Sequence, residues 1–341
     1  MKQRLSELRL PPLLPRQQML EILQSEEYGR MPEPPEALEF TEEAQPWLNF
    51  AGKANLTRVT ANCTVKGTVF SFPFCATVPT APGKHPFFVH INFRPEVADY
   101  YQPIEEILDS GFAVLSFCYS DVTRDDGDFA DGLAGILFPE GHRQPEDPGK
   151  IAIWAWAAQR VMDYAQTLGD VLDLSCGAVC GHSRLGKTAL LAAATDERFA
   201  FACSNESGCS GAAVTRGKKG ERVQNICTVF PYWFCENYRK YMGREEDMPF
   251  DQHYLVAAIA PRKVCIGSAA EDLWADPKAE QLCCFAASPA SEKGFVCPDR
   301  PAEAGEAFLE GHIGYHLRAG QHFFSRADWQ RMMQFIQGHR V

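Results

Sequence analysis

Ser183 lies between two glycines in Gly181-His182-Ser183-Arg184-Leu185-Gly186-Lys187, and its neighbours give it a chemistry. The apolar run Cys176 to Cys180 before it reads as a buried strand, and Thr188 to Ala194 after it is a run of strong helix formers. A serine on a tight turn between strand and helix has an exposed hydroxyl, and the helix N-terminus supplies N–H groups and positive potential for an oxyanion. The segment departs from G-x-S-x-G: Leu185 stands where the second glycine belongs, and Gly186 comes one residue late. A nucleophilic hydroxyl needs a base, and the base needs an acid to hold its tautomer. Among nine histidines, His322 is the best placed, in the glycine-containing loop Arg318-Ala319-Gly320-Gln321-His322 just before the last helical stretch. His312 and His316 are nearby rivals that no turn chemistry singles out. Two acids compete: Asp272, after the apolar run Lys263 to Ser268, and Glu206, in Ser204-Asn205-Glu206-Ser207-Gly208. Chain order alone favours Asp272.

The elements that must position these groups follow from periodicity. Residues 1 to about 50 are rich in proline and glutamate and read as a short helix near Gln17 to Glu26 followed by an irregular wrapping arm. Arg58 to Lys66 alternates strictly, as do Phe70, Phe72 and Phe74 after the Lys66-Gly67 turn, which predicts an antiparallel hairpin. Pro86 to Phe93 and Phe112 to Cys118 are continuous apolar runs, with a helix near Pro103 to Asp109 between them. Such runs alternating with helices describe a parallel sheet covered on both faces. A helix from about Lys150 to Tyr164, strands at Phe199 to Ser204 and Lys263 to Ser268, and a last helix from about Asp328 to Gln337 complete the pattern. The fold class is α/β: an α/β-hydrolase three-layer sandwich, mainly parallel, with N-terminal antiparallel edge strands. The N-terminal helix and arm (1–50) precede a single catalytic domain (51–341).

A net charge of -11 argues against nucleic-acid and anionic-membrane partners. Met1 to Leu5 runs into charged, proline-rich sequence rather than an apolar leader, and no segment approaches the ~20 apolar residues of a membrane span. Thirteen cysteines, mostly inside apolar runs and with no C-x-x-C pair, suit a reducing compartment and no metal site. A soluble cytoplasmic protein without cofactor or metal is expected; its oligomeric state is left open.

The ordered set Gly181-x-Ser183-Arg184-x-Gly186-Lys187-x-Ala189, then Glu206-Ser207-Gly208, resembles the bacterial glucuronoyl esterases of carbohydrate esterase family 15. The likeness runs from about Pro86 to Asp328 and takes in Phe230 to Cys235, Asp251-Gln252-His253, Ala260-Pro261-Arg262, Trp274 to Pro277 and Gly314-Tyr315-His316. It implies a serine esterase cleaving esters of (4-O-methyl)glucuronic acid, so that the substrate is a small-molecule or oligosaccharide ester. It further implies Ser183 as nucleophile, His322 as base and Glu206 as acid, with Asp272 an alternative or supporting acid. Arg184 resembles the arginine that stabilises the oxyanion, and Lys187, Glu221 and Trp274 match positions that bind the sugar ring. Fungal members join a cysteine before the serine to one after the histidine; here those places hold His182 and Phe323.

The residues fit these roles. The N–H of Arg184 follows the nucleophile, and its guanidinium adds charged donors. Lys187 lies one helical turn on, and a tryptophan offers a flat wall for a pyranose ring. An acetyl esterase on the same fold is the first rival reading, and a catalytically silent carbohydrate-binding relative the second. The acidic loop Asp121 to Asp131 fails calcium-loop spacing and reads as a solvated loop over the site mouth. The aromatic cluster Phe230 to Tyr241 reads as packing.

Overall fold

The alternating and apolar runs assemble into one sheet of ten strands, seen in a computed structural model that describes residues 1–340. The strands are β1 (Ala37–Ala44), β2 (Ala54–Val65), β3 (Thr68–Pro79), β4 (His85–Asn92), β5 (Ala113–Cys118), β6 (Leu172–His182), β7 (Phe201–Asn205), β8 (Lys263–Ala269), β9 (Ala307–Phe308) and β10 (Ile313–Arg318). They lie in the order 1-2-3-5-4-6-7-8-10-9. β1 to β3 pair antiparallel, β5 to β10 through β4, β6, β7 and β8 pair parallel, and short β9 is antiparallel to β10. The β2–β3 hairpin closes on Lys66 and Gly67, both with positive φ, as a two-residue turn matched to strand twist requires.

Helices cover both faces because the central strands are apolar on both. Lys150–Thr167 and Arg184–Thr195 fill one face, burying Trp154, Trp156 and the alanines 189 and 192 to 194. Ile104–Asp109 and Arg326–Gly338 cover the other, where Trp329 packs edge-on against Phe88 at 5.1 Å. The α/β-hydrolase sandwich with antiparallel N-terminal edge strands is the fold. Among the described residues no helix is long and apolar enough to cross a membrane.

Two stretches differ from the sequence expectation. Part of the arm, Ala37–Ala44, is the edge strand β1, held by its ladder to β2 despite three exposed glutamates at the sheet edge. Ile313–Arg318 is a buried parallel strand although glycine and histidine break its apolar run; its register against β8 supplies what the sequence does not show. The predicted helix near Gln17 to Glu26 spans Arg16–Leu23 and continues as a wider turn to Tyr28. All thirteen cysteines are unpaired and eleven are buried, Cys75 and Cys297 being half-buried.

Candidate active site

Ser183 has φ 58 and ψ -124, a strained turn at the junction of β6 and the helix Arg184–Thr195. The turn is tight because both glycines are needed. A Cβ on Gly181 would sit 2.3 Å from the Leu185 carbonyl oxygen, and one on Gly186 would meet the Ser204 hydroxyl at 2.9 Å. Gly186 therefore takes the role of the second glycine one residue late, while Leu185 turns into the core. Ser183 opens on a cleft of about 290 Å³ at the C-terminal ends of the strands, where ligands bind in open parallel sheets.

The same cleft gathers His322, Glu206, Asp272, Arg184, Lys187, Glu221 and Trp274 from four loops. His322 Nδ1 is 2.6 Å from Asp272 Oδ2 and 3.2 Å from Glu206 Oε2. Both acids thus meet one nitrogen, and the shorter contact belongs to Asp272. Glu206 is already engaged: Arg318 donates to its Oε1 at 2.5 Å and the Phe323 N–H donates to its Oε2 at 3.0 Å. Arg318 also donates to Asp328 Oδ2 at 2.8 Å and to the Gln321 carbonyl at 2.9 Å, tying Glu206 to the loop that carries His322. The resemblance made Glu206 the acid and Asp272 its support; the hydrogen-bond lengths run the other way.

The electrostatics agree with this division. Burial pushes Glu206 up to about 7, against the His322 hydrogen bond and the Arg318 charge. Burial also acts to raise Asp272, but the His322 imidazole and the Ala275 N–H outweigh it, and this carboxyl lies below its usual range. Burial alone would lower His322; hydrogen bonds to Asp272 and Glu206 reverse that and raise it to about 9. With Nδ1 donating to carboxylate, Nε2 is the nitrogen left to exchange a proton with Ser183. The rivals are excluded by position: His316 is buried against Asp328 at 2.9 Å, and His312 lies near His339 away from the cleft.

On the acyl side, Lys187 is 4% exposed and donates to the Ser207 carbonyl at 2.5 Å, and burial lowers its pKa despite nearby Glu221. The Arg184 guanidinium lies 4.9 Å from the Trp233 ring centre and is ion-paired with Asp125, while its buried Nε–H has no partner. Trp274 stands 56% exposed in the same cleft. These side chains could hold a sugar ring between a flat indole and paired charges. Among the described residues, His182, Glu206 and His322 are the one metal-like grouping. His182 Nδ1 is taken by Asn205 at 2.6 Å, and the Glu206 oxygens accept from Arg318 and from the Phe323 N–H.

Two expectations need correcting. The acidic loop is not merely solvated: Asp125 accepts from the Trp233 Nε1–H at 2.6 Å and from Arg184, fixing both at the cleft, and Asp131 pairs with the buried Lys150. Asp126 and Asp128 pair instead with the exposed Arg124. The aromatic cluster divides: Phe230 and Trp233, stacked at 3.8 Å, line the cleft, whereas Tyr238 and Tyr241 are packing. Asp125, Phe230 and Trp233 were missed as site residues. The one signal for Trp233 was its place in the Phe230 to Cys235 motif.

The family model described as "Glucuronyl esterase, fungi" matches residues 61–292. The chain belongs to the glucuronoyl esterases of carbohydrate esterase family 15. A carbohydrate esterase from an unknown prokaryotic organism is 39% identical over 69% of this chain and 55% of its own. A 4-O-methyl-glucuronoyl methylesterase of Podospora anserina is 28% identical over 72% of this chain and 49% of its own. The chain thus spans about half the length of the curated relatives it matches. A solved glucuronoyl esterase from Solibacter usitatus superposes with a TM-score of 0.86 at 32% identity, covering 95% of this chain and 91% of that one. A promiscuous family 15 esterase from a marine bacterial metagenome superposes at 0.85 and 30%, with the same coverage. This glucuronoyl esterase family member therefore shares its fold with bacterial relatives.

Proposed function

We propose that the protein is a carboxylic ester hydrolase acting on esters of (4-O-methyl)glucuronic acid, with Ser183 as nucleophile. The observation that carries this reading is the single cleft in which Ser183 on its strained turn, His322 with two carboxylates and the Lys187–Glu221–Trp274 wall converge. Ser183 Oγ attacks the ester carbonyl and His322 Nε2 takes its proton. The Arg184 N–H and guanidinium face the oxyanion, and the alcohol leaves with the proton from His322. Water then enters by the reverse of these steps and releases the uronic acid. Asp272 orients His322, and Glu206, clamped by Arg318, supports it.

A buried lysine on the acyl side disfavours acetate, because a methyl group leaves polar atoms unpaired at a cost of roughly 10⁴-fold in kcat/KM. The test compares methyl or benzyl glucuronate with an aryl acetate. Ser183→Ala is expected to abolish both, by on the order of 10⁶-fold, whereas Lys187→Ala depresses glucuronate turnover alone. Equal activity on acetylated xylo-oligosaccharide, untouched by the lysine change, assigns the protein to the acetyl esterases. We further propose a reducing, cytoplasmic location, supported by thirteen unpaired cysteines; fractionation of the native host tests it.

A further inference from the structure

Trp274 has a cleft on each side. Beyond the catalytic one lies a second of about 660 Å³, lined by Leu273, Ala302, Ala304, Tyr315 and Leu317 and by cations at its rim. The ridge between the two clefts is fixed. Lys218 Nζ, on a 5% exposed side chain, donates to the Trp274 carbonyl at 2.9 Å, and the Glu221 N–H donates to the same oxygen at 3.0 Å. Gly220, with φ +71, lets the chain approach so closely that a Cβ there would lie 2.5 Å from the Leu273 and Trp274 carbonyl oxygens. On the crest of this ridge Leu273 is 72% exposed, an apolar side chain held in water at a cleft mouth.

Two properties of the second cleft define what fits it. First, the polar atoms of its floor are already satisfied. The Tyr315 hydroxyl donates to the Pro277 carbonyl at 2.9 Å, and Gln281 donates to the Arg300 carbonyl at 3.0 Å and accepts the Ala302 N–H at 3.0 Å. A sugar placed there would bury hydroxyls without partners; an apolar, planar body would not. Second, the rim carries Arg4, Lys219 and Lys278, none of them ion-paired among the described residues, in a chain of net charge -11. Its one acid, Asp276, is occupied by the N–H groups of Lys219 at 2.7 Å and Ala279 at 3.2 Å. We propose that this second cleft is a binding site for an aromatic carboxylate, its ring on the Leu273–Trp274 ridge and apolar floor and its carboxylate at the Arg4, Lys219 and Lys278 rim. The site goes beyond the hydrolase reading and does not depend on what the catalytic cleft cleaves.

The test is titration of the intact protein with 2-naphthoate, followed by calorimetry and by tryptophan fluorescence. Neutral 2-naphthalenemethanol and xylotriose are run beside it. Saturable naphthoate binding is expected, weakened by added salt and about tenfold by Lys219→Glu with Lys278→Glu. Ala304→Trp fills the cleft and should abolish it, while kcat/KM on a simple methyl ester stays within about twofold of the unchanged protein. The charge reversals lie on the surface and carry the test if the tryptophan variant does not fold. Binding of the neutral alcohol as tight as that of naphthoate, tighter binding of xylotriose, no binding at all, or binding indifferent to the charge reversals overturns the proposal.

Discussion

Replacing Asp272 by alanine should cut kcat while leaving stability nearly unchanged, and replacing Glu206 by glutamine should do the reverse. Together the two carboxylates, working against burial, raise His322 from 6.5 to about 9. That rise corresponds to ~3.4 kcal/mol of preference for the imidazolium. The His322 side chain is 44% exposed, so solvent screening reduces the figure to roughly half, about 1.7 kcal/mol. If the 2.6 Å contact to Asp272 carries about two-thirds of it, Asp272→Ala forfeits ~1.1 kcal/mol, or about sevenfold in rate. Looser orientation of the ring adds to that. The loss stays far below the ~10⁴ seen where a sole acid is lost, because Glu206 still faces Nδ1 at 3.2 Å. A fall in kcat of roughly 10- to 100-fold is expected. Glu206→Gln instead breaks a buried ion pair with Arg318, which keeps Asp328 and loop carbonyls as partners. About 2 to 3 kcal/mol of stability is expected to go, on the order of 5 °C in Tm, with kcat down only a few-fold. Steady-state kinetics on methyl glucuronate at the alkaline plateau, with calorimetry, measures both. A larger kcat loss for Glu206→Gln at unchanged Tm refutes the reasoning and makes Glu206 the orienting acid.

The base must be neutral to act, so kcat/KM should rise with pH through a limb near 9; Asp272→Ala removes part of what raises His322 and should move that limb to lower pH. Asp125→Ala frees the Arg184 guanidinium and leaves the Trp233 Nε1–H unpaired; a loss of roughly tenfold in kcat on glucuronate esters is expected, and an unchanged kcat removes Asp125 from the site. Burial raises Glu27 to about 8, above its unfolded value of ~4.5, so the folded state holds this proton more tightly and stability should fall as pH rises between those values. Denaturant titrations at pH 5, 6.5 and 8 should show a shallower fall for Glu27→Gln than for the unchanged protein.

The parallel core was legible because it is written in local pattern. Strands such as Ala113–Cys118 are uninterrupted apolar runs, and the nucleophile turn is a contiguous strand–glycine–helix sequence. β1 and β10 were not, since a strand of Glu39, Thr41, Glu42 and Glu43, or one broken by Gly314 and His316, is defined by the ladder beside it. The site divides the same way. Ser183, His322 and both acids follow from their places at strand ends. Asp125 does not, because its partners Arg184 and Trp233 lie 59 and 108 residues away. Chain order pointed to Asp272, whereas the clamp on Glu206 was hidden, resting on Arg318 reaching across from the end of β10.

The missing disulfide shows how one restraint can be met by other means. In the fungal pattern a covalent link joins the residue before the serine to the residue after the histidine, holding the two catalytic loops together. Here His182 and Phe323 occupy those places, and Tyr101 is wedged against both, with ring centres 5.7 and 5.1 Å away. His182 is buried and hydrogen-bonded to Asn205, and burial lowers its pKa to about 3, so it stays neutral and packs as an aromatic ring against His322 at 4.4 Å. Such ring pairs contribute roughly 0.5–1.5 kcal/mol each beyond their buried area, so three of them with the hydrogen bond approach the ~2–4 kcal/mol typical of a disulfide. Unlike a disulfide, this wedge is indifferent to reductant. It lets the His322 loop keep its register against Ser183 in a chain whose thirteen cysteines are all unpaired.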